Sequence, residues 1–195
     1  MRVARIIPSA CALALALGAA RAADPIALTL PDADVADILS GVDFIPGKPA
    51  LEGVLDDPNP DLIALATDTE MDPGLRLRAV RALALYPGDA TRAVLLSLLA
   101  DNGSIPAGIE TLLVRAAMYA LATIDGAAAV GPLAPLLDHP SRDVVADAAH
   151  ALALTGSPAA SPFLGQRKAA EELLALPSQQ IIWALNEAIR ALAEQ

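Results

Sequence analysis

The chain has 195 residues, 55% of them hydrophobic, 18% charged and 3% aromatic, with a formal net charge of −10. Its apolar content is Ala and Leu rather than β-branched or aromatic side chains, which favours helix and argues against a sandwich or barrel. The acidic balance argues against a nucleic-acid partner, because phosphate binding is supplied mainly by Lys and Arg.

The N-terminus has the pattern of an export signal. Arg2 and Arg5 precede an apolar run from Ile6 to Leu17, and Ala20 and Ala22 form the small-x-small pattern of a cleavage site. Residues 1–22 are therefore expected to be removed after Ala22. The apolar run is shorter than the stretch of roughly 20 residues that crosses a bilayer. Cys11, the single cysteine, lacks the preceding Leu of a lipid-anchor site. If it leaves with the signal, disulfides, thiolate catalysis and Cys-ligated zinc go with it. The mature chain would carry a net charge of −13, since residues 1–22 hold three bases and no acids. No later segment reads as a membrane span, and the expected location is periplasmic or secreted.

Residues 23–57 read as an acidic N-terminal cap with a short helix over Asp34 to Ser40 and a turn at Phe44-Ile45-Pro46-Gly47. Residues 24–72 contain 12 of the 23 acids and one base, Lys48. Asp57-x-Asn59-x-Asp61, with Asp68 at the twelfth position, opens like a calcium loop. Leu62 stands where that loop needs Gly, however, and the last ligand is not Glu. A helix start with Asn59 as N-cap and Pro60 as its first residue is the simpler reading.

From residue 58 onward the chain repeats. The string Ala-x-x-Ala-Leu-Ala begins at Ala79, Ala117, Ala148 and Ala188, so it recurs at near-regular intervals. Upstream of each string stands a Leu pair: Leu62/Leu65, Leu95/Leu98, Leu133/Leu136 and Leu173/Leu176. Turn signals lie between pair and string and again between units, such as Asp138-His139-Pro140 and Thr155-Gly156-Ser157-Pro158. The unit is thus helix A, turn, helix B, turn, in four copies over about 58–88, 89–126, 127–157 and 158–195. Counting from the first Ala of each string, positions −4, 0, +3 and +4 share one helical face and are apolar in every copy. Small Ala at 0 and +3 lets paired helices approach closely. Position +1 (Val80, Met118, Ala149, Ile189) adds a second apolar flank. A lone hairpin cannot cover both flanks, so the units are expected to stack.

Leu75-Arg76-x-x-Ala79-Val80-x-Ala82-Leu83 is similar to the second-helix pattern of the HEAT-repeat family in its short bacterial form, and the resemblance covers roughly residues 58–195. Val114, Val145 and Leu185 replace the Arg of that pattern in the other copies. The resemblance implies an all-α, right-handed α-solenoid of about four two-helix repeats with an N-terminal helical cap. It also implies that the B helices line a concave surface.

On that surface, position +2 reads Arg81, Tyr119, His150 and Arg190, and position −1 reads Arg78, Ala116, Asp147 and Glu187, with Arg115 adjacent. Arg, Tyr and His in one column are residue types favoured at interfaces, although every amphipathic helix has a solvated face. Arg78, Arg81, Arg115, Tyr119, Asp147, His150, Glu187 and Arg190 are thus the candidate partner-binding face. Trp183 is either part of it or packed under the fourth A helix. His139 reads as a polar turn residue. Nucleophile motifs and phosphate-cradling loops are absent, no metal or other cofactor is expected, and pairs such as Asp56/Asp57 and Glu171/Glu172 read as solvated charge. The functional expectation is an exported, non-enzymatic scaffold for a protein partner. A structural module of an envelope assembly, or an acid–base or metal-assisted hydrolase using the acidic N-terminal segment, are the alternatives. Partner identity and oligomeric state stay open.

Overall fold

The computed structural model describes residues 33–41, 45–100 and 108–195. The export signal, Cys11 and the first part of the acidic cap lie outside these residues. The described residues form helices joined by turns, and the chain is all-α.

The cap contributes α1 (Ala33–Ile38) and α2 (Lys48–Leu51), which pack on each other. They bury Val35, Leu39 and Leu51 against the rest of the core. Four helical pairs follow. The first is α3 (Pro58–Thr67) with α4 (Pro73–Ala82), and the second is α5 (Asp89–Ala100) with α6 (Ile109–Asp125). In the third, a broken helix packs on α8 (Arg142–Leu154); it consists of 3-10 turns either side of α7 (Val130–Leu133). The fourth is α9 (Ser161–Glu172) with α10 (Gln179–Ala193). Pro132 and Pro135 explain the broken helix, since each removes a backbone donor. The second helices pack in succession, α4 on α6, α6 on α8 and α8 on α10.

Local chemistry sets the helix ends. Asp72 caps α4 by accepting from the Gly74 and Leu75 N–H groups at 2.9 and 3.1 Å, with Pro73 as the first helical residue. α3 begins earlier than Asn59 and Pro60 suggest. Asp57 is the N-cap, Pro58 follows it, and the Asp57 N–H donates to Asp61 Oδ2 at 2.9 Å. Asn59 Oδ1 instead lies 2.9 Å from the Thr91 hydroxyl of α5. The segment that resembled a calcium loop is mostly helix. Gly126 (φ 51) and Gly156 (φ 64) end α6 and α8 in the left-handed region that a side chain disfavours.

The core follows the apolar columns. Ala79, Ala117, Ala148 and Ala188 are buried, as are Leu75, Leu113, Val144 and Ala184 one turn earlier. Leu83, Leu121 and Leu152 have no exposed surface. The fourth Leu pair departs from this pattern: Leu173 is 86% and Leu176 91% exposed. The reason is that α9 ends at Glu172, so both leucines fall in the turn rather than on the inner face of a helix. Leu164 buries in their stead. A second departure concerns membrane length. The helical stretch Ile109–Asp138 is long and apolar enough to cross a membrane by length and composition, with half of its apolar window buried inside the protein. Gly126 interrupts it, and its two parts belong to different pairs.

Glu171 also departs from expectation, being 2% exposed rather than solvated. Its carboxylate accepts from Arg167 Nη2 at 2.6 Å and from the Ser178 N–H at 2.7 Å, and Arg167 Nε reaches the Leu137 carbonyl at 2.7 Å. One buried acid thus ties α9 to the start of α10, and its cation ties both to the preceding pair. Burial pushes the Glu171 carboxyl up, but the Ser178 N–H and the Arg167 charge more than offset this and hold it below its ordinary value.

Two outcomes follow from this packing. Leu121→Ala is expected to cost about 2–5 kcal/mol of unfolding free energy in urea titration, as the deletion of a fully buried core side chain. A lowered carboxyl stabilises the fold above its ordinary range and loses that contribution as pH falls through its folded value. Thermal stability is therefore expected to drop on acidification below about pH 4.5. Glu171→Gln removes that part of the slope and costs about 3 kcal/mol at neutral pH, because the largely buried Arg167 loses its anion.

Candidate functional site

The polar face of α4, α6, α8 and α10 is built by the positions that the apolar columns leave outward. On α6, Arg115 and Tyr119 stand at i and i+4 and share one side of the helix. Asp147 of α8 lies opposite both: its Oδ2 accepts from Arg115 Nε, and its Oδ1 accepts the Tyr119 hydroxyl at 3.2 Å. The Asp147 side chain is nearly buried between them. Burial first, then the Asp147 charge and hydrogen bond, push the Tyr119 phenol up to about 12, with Arg115 pulling the other way. The hydrogen bond to Asp147 holds Arg115 more firmly protonated, against the opposing effect of burial.

Arg81, in the last turn of α4, reaches the same place. Together with Leu112, Arg115, Ala116, Tyr119 and Asp147 it lines an open recess of about 200 Å³. Arg81 is exposed and makes no hydrogen bond or ion pair with any described residue. Four of the eight sequence-derived face residues therefore meet in one recess, and exposed Leu112 joins them as an apolar wall.

The remaining four are placed differently. Arg78 is half-buried, and its Nε donates to the Gly41 carbonyl at 2.9 Å, tying α4 to the cap. His150 of α8 meets Trp183 of α10 edge-on, with ring centres 5.8 Å apart at 64°. Trp183 is 61% exposed, so it belongs to this face and is not packed beneath helix A. Glu187 and Arg190 pair with each other on the exposed side of α10. His139 is a turn residue whose Nδ1 accepts the Ser141 N–H at 2.9 Å.

Trp183 rather than Arg190 stands beside His150 because α10 is shifted along its neighbour. Asp143 and Gln180 bond at 2.8 Å with a sequence offset of 37, whereas the Ala strings of these helices, at Ala148 and Ala188, are farther apart in sequence. His150 and Trp183 are closer still in sequence. Between α6 and α8 the bonded pairs have offsets of 32 and 28, which bracket the offset of the strings at Ala117 and Ala148. Helix register, which string spacing alone does not contain, decides which side chains meet. Among the described residues, no group of three or more His, Cys, Asp or Glu side chains is arranged to hold a metal ion.

No family model and no curated protein matches the chain. Among solved structures it is similar to the crystal structure of an engineered protein from the Northeast Structural Genomics Consortium. The identity is 23% over 82% of this chain and 70% of that one, with a TM-score of 0.49.

The Arg115–Asp147 pair is partly shielded, so its coupling should lie between that of a surface pair and that of a buried one. A double-mutant cycle of Arg115→Met and Asp147→Asn is expected to give about 1 kcal/mol in urea unfolding. Strict additivity of the two substitutions would show that the pair does not join α6 to α8.

Proposed function

We propose that this chain is an exported, non-enzymatic scaffold: a right-handed, HEAT-like α-solenoid whose concave face, formed by α4, α6, α8 and α10, binds a protein partner. The observation that carries this reading is the face itself. Arg81, Leu112, Tyr119 and Trp183 are exposed on helices that pack in succession, and Arg, Tyr and Trp are the side chains that dominate interface energetics. The Asp147 bonds hold Arg115 and Tyr119 in place, which lowers the ordering cost of binding. The leader pattern of residues 1–22 supports export, and the acidic surface suits a soluble display module.

A second reading, a structural module of an envelope assembly, is favoured by one observation. Phe163, Leu173, Leu174 and Leu176 are exposed apolar side chains on α9 and the turn after it, and such patches mark contact surfaces.

The two readings separate in one experiment. The chain as its host exports it is used as tagged bait against envelope extract, beside an Arg81→Ala/Tyr119→Ala bait of verified fold. The scaffold reading expects a defined protein recovered by the native bait and reduced at least ~10-fold by the double substitution. Equal recovery by both baits removes the face from consideration. Recovery of the chain's own copies alone supports the assembly reading.

A further inference from the structure

We infer that the recess between α4 and α6 takes a carboxylate side chain of an acidic peptide segment in the partner, with Arg81 as its anchor. This rests on the reading of that face as protein-binding and names the chemistry of what it binds.

The charge arrangement points to an acid. Arg115 and Arg81 both line the recess, but only one anion, Asp147, lines it with them. Asp147 is already committed to Arg115 Nε and to the Tyr119 hydroxyl. Arg81 has no counter-charge among the described residues, so the recess carries one uncompensated guanidinium. Its planar fork of donors matches a carboxylate bidentately.

The surroundings favour a carboxylate on a peptide over a freely hydrated ion. Leu112, Ala116 and the Tyr119 ring form apolar walls that would cover the methylene groups of a Glu side chain or an apolar neighbour. A volume of about 200 Å³ admits one side chain rather than a folded element. The overall negative charge of the protein does not prevent this. At physiological salt, distant surface charge is screened beyond about 8 Å, whereas a direct ion pair in a recess is screened much less.

Arg81 also has little structural work that would hide its role. It sits exposed in the last turn of α4, where a cation gains only a modest dipole contribution. Replacing it should leave the fold unchanged.

The test uses two blocked peptides, acetyl-Ala-Leu-Glu-Leu-Ala-amide and its Gln counterpart, titrated into the isotope-labelled exported chain. Backbone amides of α4 and α6 and the Arg81 Nε–H are followed by NMR. The Glu peptide is expected to shift Arg81 and Tyr119 saturably, and to bind at least ~10-fold more tightly than the Gln peptide, as a charge-assisted bond should. Arg81→Gln should erase that difference with melting temperature unchanged. Equal affinity for the two peptides, absence of saturable shifts at Arg81, or an undiminished preference in Arg81→Gln would each overturn the proposal. If partner capture still depends on Arg81 and Tyr119 while the peptides are not distinguished, the carboxylate anchor fails and the scaffold reading stands. If capture is also independent of both residues, the two fail together.

Discussion

The constraint on which this molecule depends is the Ala seam shared by α4, α6, α8 and α10. Each of these helices is apolar on two flanks, one for its own partner helix and one for the next pair. With Ala at 0 and +3, backbones approach closely enough for Leu83, Leu121 and Leu152 to be covered completely. The second helices pack in succession, so each pair covers apolar surface of the next. The fold is cohesive along its length for that reason, and a single core Leu in α6 matters to pairs on both sides.

Polar groups complete what the seam begins. Arg76 is buried, donates to the Ala66 carbonyl at 3.4 Å, and lies 3.5 Å from Glu110 of the next pair. The Thr91 hydroxyl donates to the Tyr86 carbonyl at 2.7 Å and lies 2.9 Å from Asn59 Oδ1. Arg92 pairs with Asp125 at 2.5 Å, and Arg167 joins the Leu137 carbonyl to Glu171. Several of these cross from one pair to another. A hydrogen bond needs one geometry, whereas apolar contact tolerates sliding, so these ties help to fix helix register.

The same logic produces the candidate face. Once the seam turns the apolar columns inward, the positions left outward fall on one side of successive helices, and helix register decides which of them meet. Asp147 then converts a row of flexible side chains into an ordered cluster by holding Arg115 and Tyr119 at once. Among the described residues Arg81 has no hydrogen-bond or ion-pair partner, and Leu112 and Trp183 stay exposed beside this cluster.

Helix type, pair order and most of the core were determined by the sequence itself, because helical periodicity and turn residues are local signals. The columns at −4 and 0, and all but the last members of those at +3 and +4 (Ala191 and Leu192, which are partly buried), bury as the spacing of Ala and Leu requires. The tertiary structure alone decided three things. Leu173 and Leu176 are exposed because α9 stops at Glu172, a boundary that the periodic spacing of the Leu pairs does not contain. Glu171 itself looked like surface charge, since burial of an acid depends on partners that periodicity does not reveal. Trp183 rather than Arg190 stands beside His150 because α10 is displaced along α8. Sliding conserves the periodicity of both helices, so it leaves no trace in the sequence and is settled only by how the side chains of two helices interlock.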